Sequence, residues 1–241
     1  MMITEQVAQL QDDLDQAKHI VFLTGAGVST PSGIPDYRSK NGIYNEISLS
    51  PEEILSTDTL LHRPALFHDF VMKNMYFPDA EPNVIHEKMA AFCKDRGQLI
   101  TQNVDGLDKK AGNAGVIEFH GNLYDIYCTK CGQKFSYEDY KNSFVHEQDG
   151  GIIRPGIVLY GEPIDQERLM RSVQAVAGSD LIIICGTSFV VYPFAGLLQY
   201  RDGAKVWAIN KQELAQVGGI KQITADAAAI FKQLHLERNE A

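Results

Sequence analysis

The chain has 241 residues, of which 44% are hydrophobic, and its 31 acidic and 22 basic residues give a net charge of −9. This length can bury one large core and still hold an insertion. The acidic charge argues against nonspecific binding to DNA or to anionic membranes, and it favours cationic partners such as lysine-rich protein segments. The first 17 residues carry no long apolar run, so they predict neither a signal peptide nor a membrane span. We therefore expect a cytoplasmic protein.

The four cysteines do not form the pattern of a disulfide framework in a chain of this length. Cys93 and Cys185 lie in apolar helical and strand patterns, where they fit buried thiols. Cys128 and Cys131 form a Cys-x-x-Cys pair, which has the spacing of a metal site.

Predicted helices and strands alternate along the chain. Val7, Leu10 and Leu14 recur at helical spacing and predict an opening amphipathic helix, which leads into a strand at 19–24. Residues 40–82 show only helical stretches broken by prolines and predict a helical insertion. The remaining pattern predicts a helix at 83–95, strands at 98–101, 116–119, 180–186 and 205–209, and a closing helix at 227–234. This alternation predicts an α/β fold with a doubly wound, mainly parallel, Rossmann-like sheet.

A glycine pair, Gly25 and Gly27, ends the first predicted strand. Glycines at such a strand end let the backbone approach a phosphate at the start of a helix. Thr30 stands where a dinucleotide motif has its third glycine, so these residues alone leave nucleotide binding and an ordinary turn equally open. The segment that follows carries Tyr37 and Arg38 on a stretch broken by glycine and proline, which favours a lid over a bound ligand.

Polar residues follow all five predicted strands. A single Asn-x-Asp-Gly more often forms a turn, but ligands of doubly wound sheets bind at the carboxyl ends of the strands, and five polar ends together favour such a site. His120 lies beside Gly121 at one strand end, where an imidazole serves either as a general base or as a buried core histidine. The polar strand ends are residues 25–27, 102–106, 120–121, 186–188 and Asn210.

These segments together resemble the sirtuin (Sir2-like) family of NAD-dependent protein deacylases. The resemblance rests on residues 25–29, 33–39, 101–107, 120–121, 154–162 and 186–193 and on the Cys128 and Cys131 pair, and it covers nearly the whole chain. Tyr37 stands where the family has Phe, and Val104 where it often has Ile, which are conservative changes. The implied domains are a Rossmann-like NAD-binding domain at 1–31, 83–120 and 158–241, a helical insertion and cofactor loop at 32–82, and a small zinc-ribbon-like insertion at 121–157.

The resemblance implies an NAD-dependent protein lysine deacetylase that transfers the acyl group from acyl-lysine to ADP-ribose and releases nicotinamide. His120 is then the general base that draws a proton from a ribose hydroxyl. Asn103 and Gln102 are expected to hold the ribose and a water, and Asp105 to accept from the nicotinamide carboxamide. The other cofactor contacts that the resemblance implies are Gly25, Ala26, Gly27, Thr30, Tyr37, Arg38, Val104, Thr187, Ser188 and Asn210.

The resemblance also implies an acyl-lysine peptide that binds as an added strand between residues 158–162 and 189–192. Main-chain pairing gives sequence-tolerant affinity, so we expect broad peptide specificity. Family members that prefer succinyl groups carry Tyr-x-x-Arg in the helical insertion, where Val71 and Asn74 stand here by spacing, so we expect a short neutral acyl group. The implied peptide contacts are Val158, Tyr160, Gly161, Glu162, Phe189, Val190 and Tyr192.

A sirtuin usually closes a structural zinc site with two Cys-x-x-Cys pairs. Cys128 and Cys131 supply the first pair, and the second falls on His146 and Asp149. Histidine and aspartate both ligate zinc, so a mixed site is open. Equally open is a lost site, in which aromatic packing holds the lobe around Tyr127, Phe135 and Phe144.

Two other functions remain open beside deacylation. The same site serves ADP-ribosyl transfer to a protein, or the binding of NAD or ADP-ribose without turnover. The presence of His120, Asn103 and Asp105 disfavours a binding module without catalysis. The sequence predicts neither the physiological substrate nor the oligomeric state.

Overall fold

The computed structural model describes residues 2–36, 49–214 and 217–236. Tyr37 and Arg38, which the resemblance places at the cofactor, lie outside the described residues. Within the described part of the chain, no helix combines the length and the apolar character that a bilayer crossing needs.

Short apolar runs form the strands of a central sheet. The strands are β1 (Ile20–Thr24), β2 (Gly97–Thr101), β3 (Ile117–Glu118), β4 (Gly121–Cys128), β5 (Lys134–Phe135), β6 (Ile153–Ile157), β7 (Leu181–Cys185), β8 (Lys205–Asn210) and β9 (Lys221–Thr224). Six of them pair in parallel in the order β3-β2-β1-β7-β8-β9. Thr24 at the end of β1 pairs with Thr101 of β2 and with Cys185 of β7. The carboxyl ends of the central strands therefore lie side by side, where the polar loops begin.

Helices bury both faces of this sheet. The helices are α1 (Ile3–Gln16), α2 (Pro51–Ile54), α3 (Thr57–His62), α4 (Pro64–Asn74), α5 (Val84–Arg96), α6 (Leu107–Lys110), α7 (Tyr137–Asn142), α8 (Gln166–Ala177) and α9 (Ala227–Phe231), with short 3-10 helices at Ala26–Val28, Thr30–Ser32 and Phe194–Tyr200. Phe22 packs on one face with residues of α1, α5 and α9, and Leu23 packs on the other with residues of α8 and of the 3-10 helix Phe194–Tyr200. Burial on both faces explains the unbroken apolar runs of β1 and β7.

The two insertions together build a second lobe. Strand β4 pairs antiparallel with β5 and β6. Residues of α2, α3 and α4 pack against this small sheet in a third core that contains Phe67, Tyr140 and Ile153. All six parallel strands fall in the ranges proposed for the NAD-binding domain, and the three antiparallel strands fall within 121–157. The domain boundaries themselves stay a prediction.

The predicted α/β fold with a parallel Rossmann-like sheet is confirmed. The sequence missed β9, an edge strand with a single fully buried residue, and α8, which buries only Ser172 and Val176 fully. It also missed the antiparallel strands, because β5 has two residues and β4 is interrupted by an irregular register. The helix that follows the glycine pair is the short 3-10 helix Ala26–Val28, and the closing helix ends at Phe231, three residues before the predicted end.

Candidate active site

Loops at the carboxyl ends of the parallel strands surround a cavity of about 1430 Å³. A pocket for one small ligand usually has roughly 300–1,000 Å³, so this cavity suits two ligands side by side. Most of the predicted site residues line it, namely Gly25, Ala26, Gly27, Thr30, Gln102, Asn103, Val104, His120, Val158, Tyr160, Gly161, Glu162, Thr187, Ser188, Tyr192 and Asn210. Asp105, Phe189 and Val190 are not part of this wall.

The glycine pair after β1 lets two strand-end loops touch. The Gly27 N–H donates to the Gly186 carbonyl at 2.8 Å, and the Gly25 N–H donates to the Cys185 carbonyl at 3.2 Å. A Cβ atom on Gly27 would lie 2.8 Å from the Gly186 Cα, which is too close for any side chain. The glycines are therefore required by contacts within the protein, in addition to the predicted approach to a phosphate.

His120 lies directly after β3, on the wall of the cavity. Its Nδ1 is 3.4 Å from the Gln102 carbonyl, which can only accept, so Nδ1 carries the proton and Nε2 keeps the lone pair. The rings of Phe119 and Phe194 lie 5.3 Å and 6.4 Å from the imidazole. Burial lowers the pKa of His120, and the bond to Gln102 opposes this change. The imidazole is thus neutral at pH 7 and has the form that a general base needs.

Asn103, Ser29 and Asp105 form a hydrogen-bonded group beside the cavity. The Ser29 hydroxyl donates to Asp105 Oδ2 at 2.7 Å and accepts from Asn103 Nδ2 at 3.2 Å. Asn103 Nδ2 also donates to the Gly25 carbonyl at 3.2 Å, and the Leu107 N–H donates to Asp105 Oδ1 at 2.9 Å. Burial raises the pKa of Asp105, and the donors Leu107 and Ser29 oppose the rise. These two donors favour the ionised carboxylate.

His86 of α5 supports this group from behind and was not predicted from the sequence. Its Nδ1 accepts from the Asn83 N–H at 3.2 Å, so Nε2 carries the proton, 3.5 Å from the Ser29 oxygen. The side chain is 1% exposed, and burial lowers the pKa of His86 to about 4. The available signal was Asn83 three residues before His86, the spacing of a helix cap with a reciprocal bond.

Asp108 is a second buried carboxyl, three residues after Asp105. It is 4% exposed, and neither of its oxygens has a hydrogen-bond partner among the described residues. Burial raises the pKa of Asp108 to about 8, and the Asp105 and Glu118 carboxylates add to the rise. Asp108 is therefore largely protonated at neutral pH. The strand-end cluster is the name used below for Ser29, His86, Asn103, Asp105, Asp108 and His120.

A small recess of about 20 Å³ adjoins the strand-end cluster. Asp105 lines this recess together with Ser29 and Asn103. The rest of its wall is apolar and consists of Ala26, Ile34, Pro35, Met75, Phe77, Val104 and Leu123. Ala26, Asn103 and Val104 also line the large cavity, so the recess that Asp105 lines adjoins that cavity.

Thr187, after β7, is held from two sides. Asn210 Oδ1 accepts from the Thr187 N–H at 3.1 Å, and Asn210 Nδ2 donates to the Thr187 carbonyl at 2.7 Å. Gln102 Nε2 donates to the Thr187 hydroxyl at 2.9 Å. Asn210 and Gln102, which were predicted to contact the cofactor, therefore also fix the shape of the loop that begins at Gly186.

The segments predicted to bind a peptide differ in where their side chains lie. Tyr160 and Tyr192 are 42% and 78% exposed, and both line the cavity. Phe189 instead is buried, with its ring centroid 6.0 Å from that of Phe194. The side chain of Phe189 anchors the loop in the core, so only its backbone is left for the predicted contact with the substrate peptide, which stays a prediction.

Helix α4 keeps Val71 and Asn74 off the wall of the cavity. Val71 is fully buried in the third core, and Asn74 Nδ2 donates to the Phe70 carbonyl at 2.8 Å. From the helical insertion, Leu55 and Met75 line the cavity. The insertion thus offers apolar side chains to whatever enters there.

Cys128, Cys131, His146 and Asp149 come together in the second lobe and are named the lobe cluster. Their ligand atoms all lie within 4.8 Å of one another. His146 Nδ1 is 3.5 Å from Cys131 Sγ and 3.0 Å from Asp149 Oδ1, and Cys128 Sγ is 3.6 Å from Asp149 Oδ1. Tetrahedral zinc, with bonds of roughly 2.0–2.3 Å, separates its ligand atoms by about 3.3–3.8 Å. The separations of 3.5 Å and 3.6 Å fall in this range, whereas the 3.0 Å separation is shorter and the widest one reaches 4.8 Å. The four residues are thus close enough to hold one metal ion after small shifts of their side chains.

The backbone around the lobe cluster favours metal binding. The Gly151 N–H donates to Asp149 Oδ1 at 2.8 Å and lowers the pKa of Asp149 to about 2. Any Cβ on Gly151 would collide with Cys128 Sγ, so this glycine keeps the sulfur free. The Lys130 N–H lies 3.4 Å from the same sulfur and stabilises a thiolate there.

Comparisons of the sequence with known proteins point to one family. The model of the Sir2 family matches residues 25–193. A protein of Listeria innocua named NAD-dependent protein deacetylase is 49% identical over 227 residues, which cover 93% of this chain and 99% of the relative. A protein of the same name from Lactiplantibacillus plantarum is 50% identical over 228 residues, which cover 94% of this chain and 97% of the relative.

Solved Sir2 structures share the fold. One that describes the mechanism and regulation of Sir2 enzymes superposes with a TM-score of 0.85 at 29% identity and covers 94% of this chain and 95% of its own. A Sir2 complex with a p53 peptide and NAD⁺ has a TM-score of 0.82 at 31% identity and covers 96% of both chains. A Sir2 variant with a deacetylated p53 peptide and 3′-O-acetyl-ADP-ribose has a TM-score of 0.84 at 32% identity, again over 96% of both chains.

Proposed function

The chain belongs to the Sir2 family, and from this premise we propose that it is an NAD-dependent protein lysine deacetylase. It transfers the acyl group from acyl-lysine to ADP-ribose and releases nicotinamide. The observation that carries this function is the position of His120, which lines the cavity together with Asn103. Its Nδ1 donates to the Gln102 carbonyl, so Nε2 keeps a lone pair that can accept a proton. Asp105 faces the adjoining recess. A base, an amide and a carboxylate at neighbouring strand ends provide proton transfer and orientation at one place.

His120 moves the proton in this scheme. NAD supplies the ribose carbon that the acyl oxygen attacks and the nicotinamide that leaves with the bonding electrons. His120 Nε2 would take the proton of a ribose hydroxyl as the hydroxyl oxygen bonds to the acyl carbon. The bond between the acyl carbon and the lysine nitrogen would then break, so that lysine leaves as a protonated amine. A water would add to the acyl carbon, and the bond from this carbon to the oxygen on the first ribose carbon would break, which leaves the acyl group on the hydroxyl oxygen. The Gln102 carbonyl accepts from the opposite ring nitrogen and stabilises the charge that the imidazole gains. Asn103 Nδ2 is held by Gly25 and Ser29, so its Oδ1 is the atom offered to a ribose hydroxyl or a water.

Asp105 receives the nicotinamide carboxamide in this scheme. Its carboxylate is fixed by the Ser29 hydroxyl and the Leu107 N–H and lies at the wall of an otherwise largely apolar recess. A carboxamide N–H that enters this recess finds an ionised acceptor away from bulk water. Such a charge-assisted hydrogen bond is stronger than one between neutral groups.

The substrate peptide binds as an added strand between residues 158–162 and 189–192. The Val158 carbonyl and the Gly161 N–H support this placement, because both residues line the cavity and neither group bonds to another described residue. Backbone pairing gives affinity that tolerates many sequences. Broad peptide specificity is therefore expected, and acyl-lysine proteins are the partners of this site.

A short neutral acyl group fits the apolar side chains at the cavity wall. Leu55, Met75 and Ile157 line the cavity, and Val71 and Asn74 supply neither a phenol nor a guanidinium for an acyl carboxylate. Two peptides of identical sequence, one with acetyl-lysine and one with succinyl-lysine, test this assignment. The acetyl peptide is expected to react faster, and a faster succinyl reaction would overturn the assignment.

The lobe cluster holds a structural zinc ion in this account. Its distances and its donor set of two sulfurs, one nitrogen and one oxygen support the mixed site. Packing of Phe135 and Phe144 in the third core, the rival explanation of the lobe, is present as well and does not conflict with a metal. Zinc bound there cross-links the turn after β4 to residues 146–149. Because two harder ligands replace thiolates, weaker binding than at a four-cysteine site is expected.

Mass spectrometry after incubation with NAD tests the function and its alternatives in one experiment. The sample contains the protein, NAD and an acetyl-lysine peptide, and both peptide and protein are weighed. Loss of the acetyl mass from the peptide, together with acetyl-ADP-ribose, is the expected result. An ADP-ribose adduct on protein or peptide indicates ADP-ribosyl transfer, and unchanged masses indicate a binding module. The predicted cytoplasmic location and lack of nucleic-acid binding stay predictions, and the net charge of −9 supports the latter.

A further inference from the structure

Arg154 is a buried cation, and the hydrogen bonds of its side chain to described residues all reach positions within eight residues of it. It lies in β6 with 4% exposure. Its Nη1 and Nη2 donate to Glu162 Oε1 and Oε2 at 2.5 Å and 3.1 Å, which makes a bidentate pair. Nη2 also donates to the Ile157 carbonyl at 2.6 Å, and Nε donates to the Pro155 carbonyl at 3.1 Å. All these bonds fall within residues 154–162, so they fold this one segment on itself.

Glu162 closes the other end of the same loop. Its Oε2 accepts from the Leu159 N–H at 2.8 Å, and its own N–H donates to the Leu159 carbonyl at 2.9 Å. Both carboxylate oxygens are therefore occupied within the protein. Glu162 lines the cavity, but its charge is already neutralised by Arg154 and is not free to select a cationic substrate.

The loop held by this pair joins the catalytic wall to the helical insertion. The Val158 N–H donates to the His120 carbonyl at 2.9 Å. The Tyr160 N–H donates to the Leu55 carbonyl at 2.8 Å, and the Thr57 N–H donates to the Tyr160 carbonyl at 3.1 Å. The segment is thus fixed at both edges, and its shape decides where the Val158 carbonyl stands relative to His120.

We propose that Arg154 and Glu162 are a positioning pair that holds residues 158–162 in the turn, with Gly161 at a positive φ, that presents the Val158 carbonyl and the Gly161 N–H to the substrate peptide. The proposal rests on the deacetylase function and names a role in it that the sequence did not indicate. Glu162, expected from the sequence to contact the peptide, acts instead through the backbone of its own loop. A buried ion pair of this kind fixes geometry, and removing one partner leaves the other charge unpaired.

Glu162→Gln tests the pair with little change of shape. Glutamine keeps one acceptor oxygen and places an NH₂ group against the guanidinium or the Leu159 N–H, so at least one bond is lost. With saturating ADP-ribose, the Kd of a fluorescein-labelled acetyl-lysine peptide, measured by anisotropy, is expected to rise about tenfold, since a hydrogen bond to a charged group is lost. The affinity for ADP-ribose alone is expected to stay within twofold.

Glu167→Gln is the matched control, because Glu167 is an exposed carboxylate in the first turn of α8, five residues further on. It is expected to leave both affinities unchanged. Amide hydrogen exchange gives a second readout, in which Glu162→Gln speeds exchange at Leu159 and Tyr160 and leaves β1 and β7 as in the wild type. Arg154→Lys keeps the positive charge but loses the two parallel N–H donors of the guanidinium, and it is expected to give the same pattern. This variant replaces Glu162→Gln in the test if Glu162→Gln does not fold.

Two results would overturn the proposal. One is a peptide Kd within twofold of the wild-type value in Glu162→Gln, and the other is an equal loss of peptide and ADP-ribose affinity, which indicates general damage. A wild-type protein that binds the peptide without deacetylating it contradicts the proposed function alone. If the wild type does not bind the peptide, hydrogen exchange in the variants still decides whether the pair holds the loop.

Discussion

Aspartate and histidine occur in both the strand-end cluster and the lobe cluster, but the pKa of Asp108 and that of Asp149 shift in opposite directions. In the strand-end cluster, burial lowers the pKa of His86 to about 4 and raises that of Asp108 to about 8, so both are mainly neutral at pH 7. In the lobe cluster, the Gly151 N–H lowers the pKa of Asp149 to about 2, and Cys131 is exposed. Desolvation favours the neutral forms of His86 and Asp108 at the first site, and a backbone donor keeps Asp149 charged at the second.

This difference indicates that the two clusters have different functions. The strand-end cluster needs a neutral base and one local negative charge, and burial with hydrogen bonds within the protein supplies both. The lobe cluster brings four possible ligand atoms within 4.8 Å of one another, and a cation bound between them would stabilise their charged forms. Changes in the first site are therefore expected to alter catalysis or pH dependence, whereas changes in the second alter metal content and the stability of the lobe.

His120→Ala is expected to have the largest effect, since it removes the base from the strand-end cluster. General base catalysis contributes roughly 10²–10⁴ in rate, so kcat for an acetyl-lysine peptide is expected to fall at least about a hundredfold. The affinity for ADP-ribose, measured by calorimetry, is expected to change less than twofold. His62→Ala removes an exposed imidazole of α3 and serves as the control with wild-type rate. Retention of more than about a hundredth of the rate would contradict the assignment of the base.

Loss of a ligand is expected to affect the lobe cluster in a different way. Protein produced in zinc-supplemented medium is expected to carry close to one zinc per chain, and His146→Ala is expected to lose it and to melt several degrees lower, because structural zinc contributes directly to folding. ADP-ribose affinity is expected to stay unchanged. His235→Ala, at an exposed histidine, is the control that keeps the metal. Zinc-free wild-type protein with the same melting temperature before and after chelator would show that the site has been lost.

Asp108→Asn is expected to stabilise the protein in a pH-dependent way. The pKa of Asp108 rises from about 3.9 in the unfolded chain to about 8 on folding. The folded state thus binds the extra proton, and the free energy of unfolding falls as pH rises through this window. Asparagine does not titrate, so Asp108→Asn avoids this fall in the free energy of unfolding. Its free energy of unfolding is expected to exceed that of the wild type by on the order of 1–3 kcal/mol at pH 8 and to be almost equal to it at pH 4.

Urea unfolding at pH 4 and at pH 8 measures this effect. Asp202→Asn, at an exposed aspartate near the start of β8, is the control and is expected to change neither value. Destabilisation of Asp108→Asn at pH 8, or the same gain at both pH values, would contradict the buried neutral carboxyl.

Asp105→Asn is expected to have the smallest effect. Its carboxylate is the proposed acceptor for the nicotinamide carboxamide, and a hydrogen bond to a charged group is lost on substitution. The inhibition constant of nicotinamide is expected to rise about tenfold, and the Kd of ADP-ribose is expected to stay within twofold. Equal losses for the two ligands would remove this role from Asp105.

Local patterns predicted much of the fold and most of the cavity wall. The apolar runs of β1 and β7 and the polar residues that follow them are features of neighbouring positions, so the sheet and its ligand edge could be read directly. The family resemblance placed His146 and Asp149 beside Cys128 and Cys131, and the fold brings the four ligand atoms within 4.8 Å of one another.

Contacts between distant segments could not be predicted in the same way. His86 reaches Ser29 across 57 positions, and nothing near either residue indicates the pairing. Asp108 has the sequence context of an ordinary acidic residue in a first helical turn, and only its burial makes it unusual. The family resemblance placed Phe189 at the peptide, but it did not indicate that the Phe189 side chain is buried against Phe194.

The pH dependence of kcat/KM for an acetyl-lysine peptide tests the central claim most directly, because it reports the pKa of the essential base in the free enzyme. Burial lowers the pKa of His120, and the neutral imidazole is the active form, so the rate is present above this pKa and lost below it. As pH is lowered from 8, kcat/KM is expected to stay constant at first and then to fall. The midpoint of this fall is expected below about pH 6.5, the ordinary pKa of histidine. A midpoint above about 6.5, or the same fall in the residual activity of His120→Ala, would contradict a base at His120 that burial keeps neutral.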